Sequence, residues 1–365
     1  MSDGVPLFEF APDASVWQAL HEAADRVIAS RCYVLDREVA AFEAEFADYC
    51  GTAHCAGVAN GTDALELALR AVGIAAGSRV ATVANAGYYT CAALAALGAS
   101  PVFVDIDDTL TMCPSELSKA IGAVDAIVVT HLYGRLAAIE RIVAIAAAAG
   151  VPVIEDCAHA HGAQRDGRRA GAFGAAGCFS FYPTKNLGAL GDGGAVVTSD
   201  PALHARVLAL RQYGWSSKYR VEQAGGRNSR LDELQAALLR VKLRALDRWN
   251  DARRDIARRY IEGLRGAGVA LPDVRASEHV VHLFVVRSRQ RQALQSDLEA
   301  QRIGCAVHYP IPDYRQPVLA PSTAHPALPS TEAACSEVLT LPCHPGLADA
   351  DVQRVIDAVR RHHQA

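Results

Sequence analysis

The chain has 365 residues, 51% of them apolar and 21% charged, and its 36 Lys+Arg against 40 Asp+Glu give a formal charge of −4. Such a composition excludes a disordered or fibrous chain. The slightly acidic balance, with no long basic run, also argues against a nucleic-acid surface, which needs clustered cations to release counterions. The length suggests about two domains, enough to bury a large core and leave a cleft between them.

The N-terminus, MSDGVPLFEFAPD, lacks the basic-then-apolar order of a signal peptide. Ten cysteines are scattered without a C-x-x-C pair, most of them in apolar runs, and read as small buried hydrophobes of a reducing, cytoplasmic protein. The uncharged stretch from Val80 to Val104 is long enough for a bilayer, but Asn85, Gly87, Gly98 and Pro101 interrupt it. It reads as strand, loop, helix and turn in a buried core.

Short apolar runs at Arg79–Val83, Val102–Ile106, Ala126–Thr130, Val151–Glu155, Cys178–Phe181 and Gly194–Thr198 alternate with alanine-rich helical stretches. Strands alternating with helices predict an α/β fold with a largely parallel sheet, whose ligands bind beyond the carboxyl ends of the strands. Near Ser229 the sequence Ser-Arg-Leu-Asp resembles a capping box and opens an Arg-rich periodic stretch to about Gly266, expected to bend near Trp249-Asn250. A strand at Val280–Arg287, helices at Arg291–Arg302 and Asp351–His362, and a loop at Asp313–Ser330 complete a smaller α+β domain. The predicted division is a large domain over residues 1–248 and a small one over residues 249–365.

Three segments carry chemistry. Asn60-Gly61-Thr62-Asp63 enters a helix; free N–H groups there favour an anion, although the fragment by itself reads first as an ordinary N-cap by Thr62 or Asp63. The run ending in Glu155-Asp156 continues to His159 and His161, and fits a metal site, a general-base cluster or an acid paired with a protonated ring nitrogen. In FSFYPTKNLGALGDGG stands Lys185, one of only four lysines in the chain (with Lys119, Lys218 and Lys242). Among Gly, Asn and Ser beyond a buried strand it can hold an aldehyde cofactor as an imine, which arginine cannot do, or else contact phosphate or solvent. Taken together, a phosphate cradle, an acid for a ring nitrogen and an imine-forming amine are the parts of a pyridoxal phosphate site.

Segments NGTDALELAL, PVFVDID, THLYGR, VIEDCAHAHGA, FSFYPTKNLGALGDGGAVVT, NSRLDELQAALL and HYPIP, in this order, closely resemble the nucleotide-sugar aminotransferases of the DegT/DnrJ/EryC1/StrS family. The resemblance implies a type I aminotransferase fold and a homodimer with active sites at the subunit interface. By that likeness Lys185 tethers pyridoxal phosphate and Asp156 pairs with its ring nitrogen. Gly61, Thr62 and Ser180 hold its phosphate, with Asn228 reaching in from the partner subunit, and Tyr88 stacks on its ring. His159 stands where many relatives carry Gln against the phenolic oxygen, and no metal is implied. The stretch after the lysine, with HYPIP, is most similar to the subgroup that aminates C3 of a dTDP-linked keto sugar, in which Tyr182, His308 and Tyr309 line the sugar pocket. L-Glutamate is the implied donor. A C4-keto sugar, a UDP-sugar or a keto-cyclitol is the alternative acceptor, and a non-catalytic cofactor-binding regulator the alternative class. Dehydratases of the same fold carry histidine in place of Lys185.

Overall fold

The computed structural model describes residues 4–319 and 327–364. Seven strands form the main sheet: β1 (His54–Val58), β2 (Arg79–Thr82), β3 (Ser100–Phe103), β4 (Ala126–Thr130), β5 (Val153–Asp156), β6 (Ala176–Ser180) and β7 (Gly194–Thr198). Their order is β1-β7-β6-β5-β4-β2-β3. Only β7 runs against the others, pairing antiparallel with both β1 and β6, while the remaining contacts are parallel.

These strands are apolar on both faces because helices cover both. Alternation of side chains assigns the layers. Val80, Val128, Ile154, Cys178 and Val196 share one cluster with helices α1 (Gly61–Ala71) and α2 (Tyr89–Leu97). Ala81, Val129, Val153, Phe179 and Val197 share the other with Phe42 and Phe46 of the helix Arg37–Cys50. The two sequence-adjacent sets thus face opposite layers, and the polar residues at each strand's carboxyl end inherit the same alternation.

Every predicted strand forms, with shifts at the ends. The runs foreseen at Val102–Ile106, Val151–Glu155 and Cys178–Phe181 lie at Ser100–Phe103, Val153–Asp156 and Ala176–Ser180. Strand β1 was not foreseen, since HCAGV is short and most of it is small residues. The capping box at Ser229 does not form: the helix starts at Glu233 after Asp232, and Ser229 Oγ instead accepts from the Ala59 N–H at 3.1 Å. The long Arg-rich stretch breaks at Arg244-Ala245 rather than at Trp249-Asn250, giving helices Glu233–Leu243 and Leu246–Gly263.

The second of those helices carries Ile256, Ala257 and Tyr260 into a separate C-terminal cluster. That cluster is closed by the antiparallel pair Phe284–Arg287 and Val338–Leu341 and by the helices Arg291–Ala300 and Asp349–Gln364. Val280–Leu283 is irregular, so the strand there is shorter than expected. Val5 joins this cluster and bridges Ile303, which brings the N-terminal segment onto the C-terminal part. The expected loop Asp313–Ser330 holds a short helical turn, Asp313–Arg315, and its end starts the helix Pro329–Glu337. Its residues 320–326 lie outside the described residues. Among the described residues no helix is long and apolar enough to cross a membrane.

Candidate active site

A cleft of about 480 Å³ opens at the carboxyl ends of β1, β4, β5 and β6. The chain brings Gly61, Thr62, Asp156, His159, Ser180 and Lys185 to its wall, with Tyr182 at the same cavity and exposed.

The floor begins at α1. Asn60 is its N-cap, its Oδ1 accepting from the Asp63 N–H at 2.8 Å, so neither Thr62 nor Asp63 fills that role. This leaves the N–H groups of Gly61 and Thr62 at the positive end of the helix without intrahelical partners. A Cβ on Gly61 would lie 2.6 Å from Ser180 Cβ, so only glycine lets α1 and the end of β6 come this close. Two donors from α1 and the hydroxyls of Thr62 and Ser180 therefore converge, a set suited to phosphate.

Consecutive acids at the end of β5 separate here. Glu155 turns into the layer below the sheet, where it accepts from the N–H groups of Gly171, Phe173 and Gly174 and lies 2.9 Å from His131 Nε2. His131 Nδ1 in turn accepts from the Ala137 N–H. Cys157 lies close to both, but these hydrogen bonds already occupy the lone pairs a metal would need, and burial holds the Cys157 thiol well above its usual range. Asp156 turns to the cleft and accepts from the Ala158 N–H at 3.1 Å and Thr130 Oγ1 at 3.3 Å. Burial pushes its carboxyl up, opposed by those hydrogen bonds and by the charge of Lys185.

Lys185 sits in the connection between β6 and β7, pinned on both sides. Its N–H donates to the Tyr182 carbonyl at 2.9 Å. Next to it, Asn186 Nδ2 donates to Asn250 Oδ1 and to the Val280 carbonyl, while its Oδ1 faces His282 Nδ1. Further on, Lys242 Nζ donates to the Gly188 carbonyl at 2.7 Å beneath the Phe10 ring. Burial lowers the Lys185 ammonium to about 8, with Asp156 opposing the shift. Near neutral pH an appreciable fraction is therefore the free amine, which is the nucleophilic form.

His159 is buried, and its Nδ1 accepts from the Tyr133 N–H at 3.2 Å, so its ring proton resides on Nε2. Burial and the Lys185 charge drive its pKa well below the usual histidine value and keep it neutral. His161 does not join the cluster; it lies against Phe179 and Phe181, and burial lowers it to about 3. His308 and Tyr309 come from the C-terminal part. The His308 carbonyl accepts from Tyr133 OH and its Nδ1 lies 2.8 Å from Thr340 Oγ1, while the Tyr309 ring packs over Gly87 and edge-on to Tyr89.

One expected residue is placed elsewhere. Tyr88 caps α2 in a left-handed conformation, φ +73°, with its N–H on Asp313 Oδ1, and its side chain packs against the small cluster that includes Ala84, Phe103 and Tyr314. The aromatic that lines the cleft is Tyr89, one residue on, because the turn at Tyr88 reverses which side chain faces inward. Asn228, expected to act from the partner subunit, is exposed, is paired to Gln212 by a backbone bridge and is not among the residues lining this chain's cleft. Sequence reasoning missed Asp192, Asn186, His282 and Lys242; of these only Lys242 carried a signal, the scarcity of lysine.

Fold and site together define a class, that of α/β aminotransferases with the type I architecture. A family model described as the DegT/DnrJ/EryC1/StrS aminotransferase family matches residues 17–360, and the chain belongs to that family. It is 45% identical over 341 residues to a dTDP-3-amino-3,4,6-trideoxy-alpha-D-glucose transaminase of Streptomyces venezuelae, covering 92% of this chain and 89% of that one. It is 44% identical over 346 residues to a dTDP-3-amino-3,6-dideoxy-alpha-D-galactopyranose transaminase of Aneurinibacillus thermoaerophilus, covering 94% and 95%. Among solved structures, Streptomyces venezuelae DesV in complex with a ketimine intermediate superposes with a TM-score of 0.94 at 42% identity, over 99% of this chain and 100% of that one.

Proposed function

We propose that the protein is a pyridoxal phosphate-dependent aminotransferase that moves an amino group from L-glutamate to C3 of a dTDP-linked 3-keto deoxysugar, working as a homodimer with shared active sites. The observation that carries this reading is Lys185 and Asp156 on the wall of one cleft whose floor is the Gly61–Ser180 anion cradle. Both relatives described above are named as dTDP-3-aminosugar transaminases, which supports the acceptor.

Pyridoxal phosphate supplies an aldehyde that can carry an amino group and a ring that withdraws electrons from the adjacent carbon. The residues present fit it. Gly61, Thr62 and Ser180 would hold its phosphate, with Asn228 of the partner subunit completing the shell. Asp156 would keep the ring nitrogen protonated, and burial enforces this because a lone buried carboxylate needs a cationic partner. His159, fixed with its proton on Nε2, would donate to the ring oxygen, as an amide would in its place. Tyr89, rather than Tyr88, would lie against the ring. Lys185 would first tether the cofactor and, once displaced, take and return the proton between the two carbon centres. Tyr182, His308 and Tyr309 would border the sugar.

The test is the visible spectrum of cofactor-loaded protein before and after L-glutamate without acceptor. Loss of the yellow band to the pyridoxamine form, followed by recovery with a dTDP-3-keto sugar and not with a C4-keto or UDP-linked one, is the expected result. A yellow protein that glutamate leaves unchanged overturns the donor, and a protein with no yellow band overturns the role of Lys185.

A further inference from the structure

The cleft wall poses a charge problem. Its only cation is Lys185, which must deprotonate to react, and its acids are Asp156 and Asp192. Among the described lining residues, none is left to pair with the carboxylates of an amino-acid donor.

A second cavity, of about 250 Å³, shares Lys185. Pro183 to Asn186 form one side, and Phe8 to Pro12, Trp249, Arg253 and His344 the other. It is too small for a nucleotide and suits a small metabolite. Arg253 is 6% exposed, and among the described residues no carboxylate pairs with it. Its Nη1 donates to the Cys343 carbonyl and, at 3.5 and 3.4 Å, to those of Val281 and His282. Its Nε is buried without a partner. A second polar atom on the same wall is equally unspent: His344 Nε2 is 3.3 Å from the Pro6 carbonyl, while its buried Nδ1 has no partner. Glu9 also lines the cavity, but it is exposed and makes no ion pair with Arg253. An uncompensated buried guanidinium is costly, and the cost is relieved when an anion docks on its fork.

We propose that this cavity is the carboxylate subsite for the amino donor, with Arg253 supplying the charge. The inference rests on the aminotransferase reading and adds to it the residue that distinguishes an amino acid from a sugar nucleotide. The donor's carboxylate docks on Arg253 while its amino group is presented at Lys185.

The probe is glutarate, a dicarboxylate with no amino group to react, titrated calorimetrically into the full-length protein with and without cofactor. Wild-type protein is expected to bind it. Arg253→Gln, which keeps amide donors for the backbone carbonyls, should weaken binding at least tenfold, and Arg253→Lys should recover part of it. With cofactor loaded, Arg253→Gln should raise the glutamate concentration for half-maximal bleaching by a similar factor. Its rate of reoxidation by keto sugar, starting from the pyridoxamine form, should remain unchanged. A folded Arg253→Gln protein with wild-type glutarate affinity overturns the proposal, as does a wild-type protein that binds no glutarate. Arg253-dependent glutarate binding in a protein whose yellow band glutamate does not bleach would support the subsite and count against the transamination reading instead.

Discussion

Glu155 and Asp156 are neighbours in sequence, yet the pleat of β5 sends one into the core and the other to the cleft. Their substitutions should therefore differ in kind. Glu155→Ala strips the acceptor from three backbone N–H groups and His131, so it should cost about 3 kcal/mol or more of stability, read from denaturant unfolding. Asp156→Asn should leave the unfolding midpoint nearly in place and instead weaken cofactor retention and remove turnover. Lys185→Ala and Lys185→Arg should both abolish turnover with the fold intact; retained activity in either would remove the central assignment. The amine itself has a pH signature. Burial lowers Lys185 to about 8, so the uncharged fraction grows as pH rises. Capture of pyridoxal phosphate by cofactor-free protein should thus accelerate roughly tenfold between pH 7 and 9 and level off above. An ordinary exposed lysine would show its rise two units higher.

At the scale of elements, the β6–β7 connection is held by groups distant in sequence. Asn186 ties it to Asn250, Val280 and His282, and Lys242 ties it to the helix Glu233–Leu243. Asn186→Ala leaves several buried partners unmatched. It should lower stability by about 1–3 kcal/mol and raise the cofactor concentration needed for half-loading, measured by absorbance. What could be read from the sequence follows the same division. Strands of β-branched residues between alanine-rich helices announced the sheet, and Lys185 stood out because lysine is scarce. Asn186 and His282 did not stand out, and the scarcity of lysine marked Lys242 without showing its part, because these roles exist only once chain segments far apart are packed together. Tyr88 and Tyr89 show the finer limit: two equal aromatics in sequence, separated only by a left-handed turn at the first. The break of the Arg-rich helix at Arg244-Ala245 was likewise unmarked, since no Gly or Pro signals it.

For the whole molecule, Asn228 lies exposed and outside the lining of its own chain's cleft, and we propose that it serves the partner's cleft in a shared-site dimer. We propose that division of labour together with the large and small units at residues 1–248 and 249–365, the segment around Val5 packing with the latter. If sites are shared, Lys185→Ala and Asn228→Ala proteins, each inactive at limiting cofactor, should complement when refolded together. Hybrid dimers then contain one site with both lesions and one with neither, and about a quarter of wild-type activity should return. Absence of any recovery would indicate that each subunit works alone.

Strand β7 has a consequence for how the protein acquires its colour. Among the described residues it is the only strand beside β1, and His54 meets Thr198 across nearly the whole large sheet's length of chain. Strand β7 is what joins β1, and with it the entry to the Gly61 helix, to the sheet that carries the Lys185 connection. Such distant pairing closes late, because its loop-closure entropy must be met before any contact rewards it. Yellow colour during refolding would then be a chronometer for the last topological event, lagging behind the early helical signal rather than accompanying it.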